Sequence, residues 1–265
     1  MIEHRFEDGM HLRLVEGKQP GRAIVYIHGL GESGLCFENL ITDARLAAWT
    51  HVVPDLPGYG KSDWPPRPMP LHEHAAMLAA VIADRRLSPA VLLGHSMGGV
   101  IGLMLCEQHP ELVRGFINVE GNISLEDCAF SSKAAAYRAD DFLATGRAAM
   151  LDEIYRAGVT DLPLRTYHAS IQMCDGRTFH LNSAELVMLS GSEKLAARLR
   201  AMQGPVMYIA GSPRGAGKRS HQLLTEAGVS WQAVENSGHW PFTDQQEDFV
   251  GRVLNFLNGL PPPPP

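Results

Sequence analysis

The sequence predicts an α/β fold, a doubly wound and mostly parallel sheet interrupted by a helical insertion. Three observations carry this expectation. Residues 23–27, 90–93 and 206–210 are continuous apolar runs, the mark of strands buried on both faces. Alanine-rich segments with helical periodicity alternate with strand signals through the first part of the chain. Strand signals then vanish from about residue 121 to 204 and resume afterwards.

Taken in order, residues 2–15 alternate apolar and polar about Gly9, as a hairpin does, and Gly17 to Gly21 with Pro20 form a turn. The buried strand at 23–27 ends in His28-Gly29-Leu30-Gly31. A strand at 51–53 runs into Pro54-Asp55-Leu56-Pro57-Gly58-Tyr59-Gly60-Lys61-Ser62. Next come a helix over 71–87, a strand at 91–93, a helix from about 97 to 108 and a strand at 115–119. Within the interruption, 131–147, 150–156 and 183–202 carry helical patterning. A strand at 206–210, a helix near 219–227, a strand at 231–234 and a terminal helix near 242–257 complete the core. Prolines 261–265 can join neither sheet nor helix and read as an extended tail. The expected division is a core of 1–120 and 205–260, a helical cap of 121–204, and the tail.

Composition bounds the possible partners. The chain has 265 residues, 45% hydrophobic and 20% charged, which suits one α/β domain with an insertion. A formal net charge of −6 argues against nucleic acid, whose phosphates require a basic surface. No run is long enough to span a bilayer, and residues 1–8 contain no apolar signal core, so the expected location is cytoplasmic. Cys36, Cys106, Cys128 and Cys174 form no C-x-x-C pair and have no metal-ligand spacing; they read as reduced, packed thiols.

The chemistry-bearing feature is Gly94-His95-Ser96-Met97-Gly98-Gly99, directly after a buried strand. A serine hydroxyl is a poor nucleophile unless the backbone presents it to a base, and a sharp strand-to-helix turn does so. Gly94 and Gly98 remove the Cβ atoms that would clash as the chain reverses. A serine that merely caps the following helix is the plainer reading, but a cap does not require both glycines. The Met97 N–H, at the start of that helix, is a free donor on the positive end of the dipole.

Four motifs fall at the ends of successive strands, where open α/β sheets bind ligands. They are His28-Gly29-Leu30-Gly31, Asp55 to Ser62, Gly94 to Gly99, and Gly238-His239-Trp240-Pro241-Phe242. In this order they make the chain resemble the α/β-hydrolase family, and within it the serine esterases and lipases. The resemblance implies that Ser96 is the nucleophile and His239 the general base. It implies an oxyanion hole made by the backbone N–H groups of Leu30 and Met97, and structural roles for His28 and His95. Many family members carry the third, acidic residue just after the strand matching 206–210. Here that stretch is Gly211-Ser212-Pro213-Arg214, and no carboxylate occurs until Glu226. An arginine there would repel a developing imidazolium. Some members keep the acid after the strand preceding the cap, which selects Glu120, with Glu126 and Asp127 as weaker substitutes. A glutamate that caps the Asn122 turn or pairs with Arg214 is the competing reading of Glu120.

A serine nucleophile suits acyl transfer through an acyl-enzyme and implies no metal or organic cofactor. The leading expectation is a carboxylesterase acting on a small or medium apolar ester. Alternatives on the same residues are a cofactor-free perhydrolase or haloperoxidase, a carbon–carbon bond hydrolase, an acyltransferase, or a small-molecule receptor with negligible turnover. Phe130, Tyr137, Phe142, Tyr155, Tyr167 and Phe179 in the cap are candidates to line an apolar pocket or to hold the cap helices together.

Overall fold

A computed structural model describes residues 1–261 of the chain. The expected proline tail lies outside the described residues except for Pro261, whose carbonyl accepts a hydrogen bond from Arg114 Nε at 3.2 Å. Eight strands form one sheet: β1 (Glu3–Glu7), β2 (Met10–Val15), β3 (Ala23–Ile27), β4 (Thr50–Pro54), β5 (Ala90–His95), β6 (Val113–Val119), β7 (Val206–Arg214) and β8 (Trp231–Gly238). Their spatial order is β1-β2-β4-β3-β5-β6-β7-β8. β1 and β2 pair antiparallel, as do β2 and β4, and every later pairing is parallel. Asp8 and Gly9 join β1 to β2 with φ of 47° and 77°, the two positive values that a two-residue type I′ hairpin turn requires.

The apolar runs lack alternation because the central strands are covered on both faces. Every residue of β3 and β5 is buried. Helix α1 (Leu71–Asp84) packs on α2 (Met97–Gln108), and α2 packs on β3, β5 and β6. Nearly all of α2 is buried, so it shows no amphipathic stripe.

From β6 to β7 the described residues contain helices and loops only. These are α3 (Ala129–Ala135), α4 (Arg147–Ala157), α5 (Leu162–Ile171), α6 (Gly176–Gly191) and α7 (Leu195–Ala201). Their boundaries correct the sequence reading in three places. The expected helix over 131–147 breaks at Arg138, which is extended (φ −66°, ψ 151°), and a new turn starts with Asp140 and Asp141 on its positive end. It continues through a π-helical turn, Phe142–Gly146, into α4. The helix expected from 183 begins at Gly176, capped by the Asp175 side chain, and is cut from α7 near Glu193, where φ is 53°. Helix α5 was not expected. Asp161 caps it by accepting from Leu164 N–H, and Pro163 sits in its first turn.

After the insertion, α8 (Lys218–Ala227) stops at Gly228, whose φ of 70° ends the helix in the left-handed region. The terminal helix divides into a short turn, Pro241–Asp244, and α9 (Gln246–Asn258). Helix α3 packs on α6, whereas α7 packs back onto α2 and α8. No helix of the described residues is long and apolar enough to cross a membrane. All four cysteines are free, three of them buried and Cys36 half-buried.

Candidate active site

Ser96 occupies the single residue between β5 and α2, with φ 51° and ψ −117°. That positive φ is costly for a non-glycine residue and survives only where the surroundings enforce it. They do so here through hydrogen bonds and close packing. Ser96 N–H donates to the Val119 carbonyl at 2.9 Å, and Gly99 N–H donates to the Ser96 carbonyl at 2.8 Å. A Cβ on Gly94 would strike the Gly98 carbonyl, and one on Gly98 would strike the carbonyl of Ile27 in β3. The Ser96 side chain makes no helix-capping bond, which removes the plainer reading of this serine. Its hydroxyl has no hydrogen-bond partner among the described residues and lines a cavity.

His239 follows β8 and lines the same cavity. Its Nδ1 stands 3.1 Å from Glu120 Oε2. A carboxylate oxygen only accepts, so Nδ1 carries the hydrogen and Nε2 is left as an acceptor. Burial lowers the His239 pKa, but the hydrogen bond and charge of Glu120, helped by Asp127, outweigh it and raise the group above 6.5.

Glu120 is 2% exposed and is held from three sides. Its Oε1 accepts the Gly211 N–H at 2.6 Å and the Ala216 N–H at 3.1 Å, while Oε2 faces His239. The sheet explains this reach. Val119 pairs with Ile209, and Glu120 N–H donates to the Ile209 carbonyl at 2.9 Å, so the residue stands beside the end of β7. Neither substitute carboxylate bonds to His239. Asp127 accepts from the N–H groups of Ile123, Ser124 and Gly217 and from the Ser220 hydroxyl, and Glu126 accepts from Arg219 N–H. Arg214 does not pair with Glu120. Its side chain is 65% exposed and its nearest carboxylate is Asp161, at 3.9 Å.

Leu30 follows β3 on a loop that lies against Ser96: a Cβ on Gly29 would stand 3.1 Å from Ser96 Cβ. Leu30 lines the cavity, and among the described residues neither the Leu30 nor the Met97 N–H donates a hydrogen bond. One free donor thus follows Ser96 in sequence, and the other follows Gly29, whose backbone lies against the serine.

Glu32, on the same loop, was not singled out from the sequence. It is 3% exposed and binds three motifs at once. Oε2 meets the Gly29 N–H at 2.7 Å and His95 Nδ1 at 2.8 Å, and Oε1 accepts the Trp240 indole N–H at 2.5 Å. Burial pushes this carboxyl up, but the His95 charge and hydrogen bond, with Trp240 and Gly29, bring it down to about 2. The Gly-Glu step in Gly31-Glu32 was visible, but its partners are 63 and 208 residues away in the chain.

The cavity holding Ser96 has a volume of about 160 Å³. Of the six cap aromatics, Phe130 and Tyr167 line it. Phe142 and Phe179 stack on each other with centroids 5.9 Å apart and bind the cap helices together. Tyr137 and Tyr155 are exposed. A second, more apolar cavity of about 380 Å³ lies between α5 and the loop after β3, and the two cavities share Glu32, Tyr167 and Trp240 as a wall. The Tyr167 and Trp240 rings stand 5.7 Å apart in that partition.

The chain is 26% identical to an sn-1-specific diacylglycerol lipase of Mus musculus, over 92% of this chain and 83% of that protein. It is 29% identical to a pimeloyl-[acyl-carrier protein] methyl ester esterase of Yersinia pseudotuberculosis, over 88% and 92%. Among solved structures, an N-acyl homoserine lactonase superposes with a TM-score of 0.77 at 18% identity, covering 98% of each chain, which is a likeness of fold. The sequence model of the alpha/beta hydrolase fold matches residues 22–244. With the eight-stranded sheet and Ser96 at its strand-to-helix turn, this chain belongs to the alpha/beta hydrolase fold family.

Proposed function

We propose that this hydrolase cleaves a carboxylic ester of a small or medium apolar substrate through an acyl-enzyme on Ser96. The observation that carries the reading is the convergence of Ser96, His239 and Glu120 on one cavity, with His239 Nδ1 bound to Glu120 and Nε2 left to accept. Ser96 Oγ attacks the ester carbonyl carbon and His239 Nε2 takes its proton. The carbonyl oxygen, now an oxyanion, receives the N–H groups of Leu30 and Met97. The intermediate collapses, the C–O bond to the alcohol breaks, and His239 returns the proton to the leaving oxygen. Water, deprotonated by His239, then releases the acid and restores Ser96. Glu120 holds the imidazole in the tautomer these steps need and offsets its transient charge. A small-molecule substrate fits a cavity of about 160 Å³ lined by Phe130 and Tyr167.

In this reading residues 1–120 and 205–260 form the core and the helices of 121–204 form a cap over the strand ends. Helix α7, which packs on α2 and α8, is the part of the cap segment that returns to the core. Relatives named as esterases and lipases support ester cleavage, and Ser96 supports acyl transfer over chemistry that needs a different nucleophile. The test is labelling by a fluorophosphonate together with turnover of p-nitrophenyl esters from acetate to octanoate. Ser96→Ala is expected to abolish both, while retaining the wild-type melting temperature within a few degrees. Undiminished turnover in that variant, or absence of labelling in the wild type, would overturn the proposal.

A further inference from the structure

Both ring nitrogens of His95 meet oxygens that accept. Nδ1 is 2.8 Å from Glu32 Oε2, and Nε2 is 2.8 Å from the carbonyl oxygen of His239. A carbonyl oxygen has no hydrogen to give, so Nε2 must carry one. If the imidazole were neutral, its Nδ1 lone pair would then face an ionised carboxylate oxygen across 2.8 Å with no hydrogen between them. His95 is 1% exposed and Glu32 3%, so no solvent relieves that repulsion. Reversing the ring does not help. It would set carbon atoms at those 2.8 Å separations, whereas C–H···O contacts run to about 3.3–3.6 Å.

We infer that Glu32 and His95 form a buried carboxylate–imidazolium pair, neutral as a unit, that positions the proposed base and the Gly29–Leu30 loop. The extra proton resides on His95 because Glu32 also takes N–H donors from Gly29 and Trp240, which favour its ionised form. His28 shows the contrast. It is equally buried, but its Nδ1 faces the Gly29 carbonyl and its Nε2 faces the Leu56 N–H, one acceptor and one donor, so a neutral ring satisfies both.

The pair links three segments that must stay in register. Glu32 holds Gly29, next to Leu30; His95 precedes Ser96; and the imidazolium grips the backbone of His239 while Glu32 grips Trp240. The His95 and His239 rings lie 4.8 Å apart. A lone carboxylate at Glu32 would bias His239 toward its charged form, and the His95 charge cancels that bias. The other groups facing the pair are the Trp240 and Phe242 rings, the half-buried Cys36 thiol and the Tyr167 hydroxyl, while Glu120 stands behind His239. Burial keeps the thiol and the phenol neutral, so Glu120, with a smaller part from Asp127, is left as the net charge that biases the base.

Nuclear magnetic resonance on protein labelled with ¹⁵N-histidine tests the protonation state without reference to any reaction. At neutral pH one histidine is expected to show both ring nitrogens in the N–H range, and that signal should vanish in Glu32→Gln. A spectrum in which every histidine becomes singly protonated near neutral pH overturns the inference. The kinetic half rests on His239 as the base. Glu32→Gln cannot serve Gly29, His95 and Trp240 together, so kcat should fall roughly tenfold or more with KM within about twofold. The acid limb of kcat/KM should stay in place, because a neutral pair is exchanged for a neutral amide and a neutral imidazole. A downward move of that limb would mean that a net negative charge had been removed, and would refute the cancellation. Should Glu32→Gln fail to fold, the wild-type spectrum alone decides.

Discussion

Replacing Glu120 by glutamine removes one charge and one acceptor while preserving shape, and the structure fixes how the amide must sit. Gly211 and Ala216 present two N–H donors to Oε1, at 2.6 and 3.1 Å. If the amide nitrogen faced them, two buried donors would lose their acceptor at roughly 1–3 kcal/mol each. The amide oxygen therefore stays on that side, and the NH₂ faces His239 Nδ1. To meet a donor, Nδ1 must become an acceptor, which moves the ring hydrogen to Nε2, the atom proposed to receive the Ser96 proton. The equivalent acid-to-amide change in the serine protease template lowers kcat about 10⁴-fold by the same tautomer inversion, and roughly 1.4 kcal/mol per decade makes that about 5 kcal/mol of barrier.

The pH dependence has a definite sign. His239 must be neutral to act as a base, and its pKa is raised above 6.5, so wild-type kcat/KM should fall on the acid side with a midpoint above that value. In Glu120→Gln the hydrogen bond and charge that raise it most are gone, and burial, which lowers it, remains. The acid limb should move to lower pH. Stability follows the linkage rule for a raised pKa: the His239–Glu120 contribution is fully present below about 6.5 and is lost as pH rises through the folded value. The variant should therefore be most destabilised in acid. Stopped-flow hydrolysis of p-nitrophenyl acetate and thermal melts across pH check both. Turnover within tenfold of wild type, or an unmoved acid limb, would refute the assignment of Glu120.

Two further outcomes test the frame around the site. Gly98→Ala drives a methyl group into the Ile27 carbonyl of the neighbouring strand and should destabilise the fold by about 3 kcal/mol in a urea melt; a change under about 0.5 kcal/mol would show that the turn tolerates side chains. Tyr167→Ala removes one of the three residues that part the cavities of about 160 and 380 Å³ and should raise kcat/KM for octanoate relative to acetate. At about 0.8 kcal/mol per buried CH₂ the gain is roughly fourfold for each methylene newly accommodated, and an unchanged ratio would show that the second cavity lies outside the substrate's path.

What the sequence disclosed depended on whether the cause was local. Residues 23–27 and 90–93 read as strands because burial on both faces leaves an unbroken apolar run. The turn at Ser96 read clearly because glycine is the only residue that fits where Gly94 and Gly98 meet backbone carbonyls. Helix α5 escaped because its sequence, Leu162 to Ile171, mixes polar and apolar residues; the Asp161 cap with Pro163 in the first turn was the signal available. Which cap aromatics would reach the cavity was not readable, since Phe142 and Tyr167 have the same kind of neighbours in sequence and differ in what the helix crossings bring against them. Glu32 was hidden for the same reason: a polar residue in a glycine loop looks solvated until His95 and Trp240 arrive from distant segments.

The position of Glu120 has a physical rationale in the sheet. β6 and β7 are neighbours, and in a parallel pair the residues that follow paired ends emerge about 4.8 Å apart on the same edge. A carboxylate leaving β6 can therefore reach the space that one leaving β7 would fill, and Glu120 does so by taking the Gly211 N–H at the end of β7. Its φ of 52° bends the backbone toward that neighbour, and the Ala216 N–H closes the third side. With the carboxylate supplied from β6, the later part of β7 no longer has to provide one. Arg214, at the end of β7, is then free to face solvent and Asp161, and it also lines the cavity that holds Ser96 and His239.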